Sequence, residues 1–339
     1  MKNKIDENLE IVIFSSISHL FVDMSTIYVT LNCIKNFDNM LLYIMIYNMF
    51  AFCLQLPIGL LTDYFKITKK IIFLSFLFII FGTFFDNAVF SILFVSIGNA
   101  MYHVGCGKEI LERSKGKCGF SGIYVSTGAI GVFLSRILIN KNINFIIIIR
   151  MIILILIFIL YIIKNNFGFI ENNNKNYEKN FIKMAYLIFL LMITIFIRSL
   201  FSNFDIKFNS LFSIIMMLFT FLGKATGGII ADIFGKKITI LISLILATIC
   251  FLFYNNPYFI IFGVFLFNMS MPITLILVSD ILNNYKGMAF GITTCMLFRG
   301  SINLYINRIT LLNKSLFILP AVQFVLMFLV FKEKIFKRR

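Results

Sequence analysis

The chain contains no tryptophan, only four prolines and only two histidines, and 14% of its 339 residues are charged. Soluble domains carry about 25% charged residues. With 60% hydrophobic residues, a soluble protein of this length has nowhere to hide its apolar surface, whereas lipid tails supply an apolar environment. No CxxC pair occurs among Cys33, Cys53, Cys106, Cys118, Cys250 and Cys295. Their scatter offers neither a disulfide framework nor zinc-ligand spacing, and no metal is expected from it. A phosphate loop is also missing: the glycine-rich stretch ending in Lys108 lacks the Gly-Lys-Ser/Thr step that binds nucleotide. Catalytic triads are absent too, so no enzyme and no ATP-driven pump is expected. Without tryptophan, any aromatic belt at the membrane interface falls to tyrosine. The abundance of Ile, Phe, Asn and Lys reads as an AT-rich coding bias and carries no functional weight.

What is present is a series of apolar runs at 9–34, 40–63, 71–85, 88–109, 119–138, 144–163, 183–201, 209–231, 238–255, 258–280, 286–306 and 314–331. Each break carries Asn, Asp, Lys, Gly or Pro, the usual interrupters. Run lengths near 20 fit helices; barrel strands need about 10 residues in strict alternation. An all-α membrane protein with twelve transmembrane helices is therefore expected. The first run continues past Val29 without a small-residue cleavage site, as a retained helix does.

The formal net charge is +16, and its distribution follows membrane topology rather than a nucleic-acid surface. Lys66, Lys69, Lys70, Lys115, Lys117, Lys236, Lys237 and the tail Lys332 to Arg339 all fall on one side of a twelve-span layout. By the positive-inside bias that side, with both termini, is cytoplasmic in the cell membrane. The longest break, 164–182, is polar and Asn-rich and reads as a cytoplasmic linker. It separates a six-helix bundle over 1–163 from a second over 183–339.

An internal repeat supports this division. GLLTDYF starts at Gly59 and GIIADIF at Gly228, so Gly59 and Gly228, and Asp63 and Asp232, are related by one offset of about half the chain. Gly228, Asp232, Gly235, Lys236 and Lys237 reproduce the loop signature G-x-x-x-D-x-x-G-[RK]-[RK]. The first copy keeps Gly59, Asp63, Lys69 and Lys70, with Lys66 at the second glycine's place and the basic pair two residues late. In these residues the chain resembles the major facilitator superfamily. His19 and Asp23 in HLFVD, His103 in the fourth run and Arg198 in FIRSLF resemble, more narrowly, the branch holding fosmidomycin-resistance-type exporters. Val104 and Gly105 stand where that branch has Pro and Glu. The fifth run has Gly122, Gly128 and Gly131 but no proline, so it lacks the Gly-Pro pair of the antiporter motif.

The resemblance implies two six-helix bundles, transport by alternating access, and a central cavity lined by the first, fourth, seventh and tenth helices. Those runs hold His19, Asp23, Ser25 and Thr26; Asn99, Tyr102 and His103; Arg198 and Ser199; Asn268, Ser270 and Thr274. The third, sixth, ninth and twelfth are almost pure hydrocarbon, Arg150 excepted. A carboxylate inside a membrane helix is costly and usually functional, which singles out Asp23. His19 lies one turn before it on the same face, and an imidazole suits proton exchange. Arg198 and Arg299 are candidates for an anionic substrate group, with a structural ion pair of Arg198 and Asp23 as the alternative. Arg150 and Lys224 read as snorkelling side chains. Asp63 and Asp232, each at a helix end, are placed to accept bonds from the positive end of another helix. The expectation is a monomeric, proton-coupled secondary transporter of a small solute, without cofactor. An uncoupled facilitator and a membrane-embedded enzyme or sensor remain open at this point.

Overall fold

A computed structural model describes residues 2–163, 167, 181–204, 210–306 and 313–333. Most of the 164–182 linker and the end of the basic tail lie outside these residues. The described residues form twelve helical rods and no β-strand. They are α1 (Lys2–Ile34), α2 (Met40–Phe65), α3 (Thr68–Gly82), α4 (Ala88–Ser114), α5 (Gly119–Asn140), α6 (Ile146–Ile162), α7 (Phe181–Ser199), α8 (Ser210–Phe234), α9 (Lys236–Leu252), α10 (Pro257–Ile281), α11 (Lys286–Ile306) and α12 (Ile318–Lys332). Eight of them, α1, α2, α4, α5, α7, α8, α10 and α12, are long and apolar enough to cross a membrane.

Helix is the outcome because a strand would leave backbone groups unpaired in an apolar surround, whereas a helix pairs its own. The interruptions have local causes or positions. A π-helical turn at Met49–Cys53 breaks α2, just before Pro57. A single turn residue, Met269, divides α10 into Pro257–Asn268 and Ser270–Ile281. The first of these begins with Asn256, whose side chain accepts from the Tyr258 N–H, and Pro257 at the first helical position; both choices suit a helix start.

The chain divides into two compact units. The first comprises 1–113, 124–170 and 285–295; the second comprises 114–123, 171–284 and 296–339. In the first unit α6 packs against α1 and α3, and α4 lies close on α3 because Gly98 and Gly105 face Ile79 and Ile72. In the second unit α8, α9 and α10 pack on one another and α12 packs on α7 and α9. Small residues at such seams let helix backbones approach. Four hydrocarbon-rich helices each leave an apolar stripe uncovered: Phe73 and Phe81 on α3, Met151 and Phe158 on α6, Ile242 and Ile249 on α9, Val325 and Phe328 on α12. Arg150 does not merely snorkel. Its guanidinium donates to the Thr83 hydroxyl at 2.9 Å and the Thr83 carbonyl at 2.7 Å, and stacks on Phe84.

Candidate functional site

Both histidines of the chain meet one aspartate inside the first unit. His19 and Asp23 are one turn apart on α1, and His103 reaches them from α4. His19 Nε2 lies 3.2 Å from Asp23 Oδ2, His103 Nε2 lies 3.5 Å from Asp23 Oδ1, and the two Nε2 atoms are 2.9 Å apart. The other ring nitrogens are held by backbone. His19 Nδ1 sits 2.7 Å from the Tyr124 carbonyl and His103 Nδ1 sits 3.0 Å from the Asn99 carbonyl. A carbonyl only accepts, so each Nδ1 carries a hydrogen, and each neutral ring turns a bare Nε2 toward the carboxylate. Apart from the Asn99 amide that reaches Oδ1, the two Nε2 atoms and the carboxylate thus converge with no donor between them. That arrangement is favourable only with a positive species shared among them.

The surroundings fix this geometry. Asn99 Nδ2 donates to Asp23 Oδ1 and to the Thr26 hydroxyl, both at 3.1 Å, and Thr26 also meets the Tyr47 hydroxyl at 2.8 Å. The Tyr124 ring stacks on His19 at 4.5 Å between centroids. Gly128 leaves no space for a Cβ against Asp23 and His19. Tyr102 is fully buried, with its hydroxyl against Ser15 and Ser18, so its polar end serves α1–α4 packing. Tyr124, Tyr47 and Thr127, whose hydroxyl lies 3.4 Å from His19 Nδ1, were not singled out from sequence. Tyr124 acts partly through its main-chain oxygen, which no sequence pattern reveals.

In the second unit Arg198 on α7 is buried, donates from Nη1 to the Thr274 hydroxyl at 3.0 Å, and leaves its Nε without a hydrogen-bond partner. Asn268 stands half-buried on α10 and donates to the Val264 carbonyl. Arg299 is exposed on α11. Gln323 was missed by sequence reading; it is buried on α12 and donates to the Thr194 carbonyl at 2.6 Å. A lone glutamine in a hydrocarbon run was its signal.

The repeated turn forms the same contact twice, once within each unit. Asp63 accepts from the N–H groups of Gly287 at 3.0 Å and Met288 at 2.9 Å, at the start of α11. Asp232 accepts from the N–H groups of Cys118 at 2.6 Å and Gly119 at 2.8 Å, at the start of α5. The offset that relates Gly59 to Gly228 also relates Cys118 to Gly287 and Gly119 to Met288. Gly59 and Gly228 each abut the residue whose amide is capped, and Gly291 and Gly122 abut Gln55 and Lys224 at the same offset. Two orphan amides at a helix start are satisfied by a carboxylate, and the helix dipole favours the charge there.

The surroundings of the two turns differ. Asp63 also pairs with Lys108 at 3.1 Å, and both side chains are buried, at 2% and 6% exposure. Lys108 continues toward Glu112, while Glu109 pairs with Arg113 at 3.2 Å on the same helix. This buried charge cluster on α4 was not anticipated, although Lys108/Glu112 and Glu109/Arg113 are spaced one turn apart. Around Asp232, Lys236 pairs instead with Asp280 at 2.9 Å. Lys69 donates to the Ile163 carbonyl and lies over Phe167; Lys70 and Lys237 are exposed.

No protein-family model and no curated protein matches the chain. Among solved structures it is similar to a variant of the E. coli fucose:proton symporter FucP, with TM-score 0.67 and 11% identity over 96% of this chain and 98% of that one. It is also similar to FucP, a major facilitator superfamily transporter, in the outward conformation, with TM-score 0.61 and 12% identity over 93% and 97% of the two chains. At such identity the likeness is one of fold. The chain has the fold of that transporter superfamily.

Proposed function

We propose that this protein is a proton-coupled secondary transporter of a small solute, working by alternating access in the cytoplasmic membrane. On this reading all twelve rods span the bilayer, in six-helix bundles over 1–163 and 183–339 joined by a cytoplasmic linker, with both termini inside. The observation that carries it is the duplicated cap: Asp63 and Asp232, at equivalent positions, hold the starts of equivalent helices through equivalent amides. Capping two helix ends by reversible polar contacts, against glycine-lined seams, suits a gate that opens and closes as a unit. The fold shared with FucP supports transport, and parallel six-helix halves are an architecture on which such transport runs.

Coupling is assigned to His19, Asp23 and His103, since three converging acceptors can take up one proton and release it when their surroundings change. Arg198, with Asn268 and Thr274, is assigned to the solute, and a buried guanidinium favours one with an anionic group. The resemblance of His19, Asp23 and His103 to fosmidomycin-resistance-type exporters favours export, and the fold of a symporter favours uptake. The test starts from a metabolite comparison of a deletion strain, which names the solute and the direction. Labelled solute is then followed in liposomes carrying the purified protein under a pH gradient. Accumulation that collapses on adding a protonophore is expected. Accumulation indifferent to the protonophore contradicts the coupling, and conversion of a lipid without solute movement contradicts transport.

A further inference from the structure

We propose that His19, His103 and Asp23 form a binding site for a divalent first-row transition-metal ion of the zinc class. The inference stands on the geometry of these three side chains and does not depend on what the protein transports. Nothing in the spacing of the sequence suggested it, because the ligands come from two helices 84 residues apart.

Four observations carry it. The three ligand atoms lie within 4.8 Å of one another. The two imidazole Nε2 atoms are 2.9 Å apart and face different oxygens of the one carboxylate, His19 at 3.2 Å from Oδ2 and His103 at 3.5 Å from Oδ1; these values lie around the roughly 3.3 Å between ligands of a tetrahedral ion bound at about 2.0–2.1 Å. Both imidazoles anchor Nδ1–H on a backbone carbonyl, Tyr124 for one and Asn99 for the other. This is the outer-shell arrangement that fixes a metal-ligating histidine in the correct tautomer and orientation. Asp23, in turn, is oriented by the Asn99 amide. Two neutral nitrogens and one carboxylate suit zinc, cobalt, nickel or iron far better than magnesium or calcium, which prefer all-oxygen shells.

The site is tight but reachable. The His103 and Asp23 side chains keep 13% and 14% of their surface exposed, while His19 keeps 6%. Gly128 backs the site so closely that no larger residue fits there. The three ligands occupy one face of the ion and leave its fourth position for water or for a donor atom of a solute. An ion here would displace the proton assigned to the same atoms, so metal and proton are mutually exclusive occupants.

The test is titration of the purified full-length protein in detergent with Co2+, read by visible absorption, and then competition by Zn2+. Saturable binding of one Co2+ with a tetrahedral absorption band is expected. His103→Gln and Asp23→Asn, each checked for intact folding by size-exclusion chromatography, should weaken it at least about tenfold. X-ray absorption of the wild-type complex keeps the proposal testable if a variant fails to fold: a nitrogen and oxygen shell with imidazole scattering is expected. The proposal is overturned by absence of saturable binding, by binding that survives both substitutions, or by sulfur ligands from the cysteines. Absence of Co2+ binding in a protein that still accumulates solute with a pH gradient would remove the metal and leave the transport reading intact.

Discussion

The two copies of the glycine–aspartate turn solve one problem with different residues. In the second copy Gly235 has φ 91° and ψ 144° and leads straight into α9. That region of backbone space is open in practice only to glycine. In the first copy the equivalent position is Lys66, with φ 54° and ψ 39°, and Ile67 intervenes before α3 begins at Thr68. The left-handed helical region admits an L-residue at roughly 1–2 kcal/mol. One extra residue of turn, Ile67, thus replaces the need for glycine and accounts for one of the two positions by which the basic pair is late; Thr68, the first helical residue, accounts for the other. The aspartates differ as well. Asp63 is buried with a buried lysine, whereas Asp232 is exposed and serves the helix start alone. What the repeat preserves is the pair of capped amides; the surrounding chemistry is free to change.

This contrast can be broken by substitution, with thermal unfolding in detergent as the measurement. Asp63→Ala should have the largest effect, about 3 kcal/mol of destabilisation, because it removes two caps and leaves the buried Lys108 charge without its closest partner. Equal effects of Asp63→Ala and Asp232→Ala would contradict the distinction drawn between them. Gly235→Ala should come next, at about 2 kcal/mol, the strain of a side chain in that backbone region. Asp232→Ala should cost about 1 kcal/mol, the usual worth of an exposed helix cap. Smallest is Lys66→Gly, which should stabilise by about 0.5–1 kcal/mol as left-handed strain is relieved against glycine's greater chain entropy. A loss on Lys66→Gly would mean the lysine side chain contributes more than its backbone costs.

Much of the fold was legible because its signal is coarse. Apolar run length against bilayer thickness gave every rod, and the starts of α4, α5 and α11 fall where the runs begin. Misses occur where polar residues are helical. The run expected from Ile71 begins as helix at Thr68, since Thr68, Lys69 and Lys70 form the first turn of α3; Lys236 and Lys237 do the same for α9. The breaks at Met49–Cys53 and Met269 are invisible to hydropathy because their residues are apolar.

Within the site, the i,i+4 pairing of His19 and Asp23 was readable from helix periodicity. Their meeting with His103 depends on the register of α1 against α4, which no single-chain pattern records. Likewise the repeat marked Asp63 and Asp232, but not the amides they hold. The approach of Cys53 and Cys295, whose sulfurs lie 3.8 Å apart, was equally hidden behind their scattered spacing.

Asp23→Asn bears most directly on proton-coupled transport. It keeps the shape of the side chain and removes the charge that makes the triad attract a positive species. Liposomes carrying either form are loaded with the solute identified from the deletion strain and followed under a pH gradient and in equilibrium exchange. The account predicts that the Asn form exchanges solute across the membrane yet no longer concentrates it. Accumulation by the Asn form at the wild-type level would contradict it.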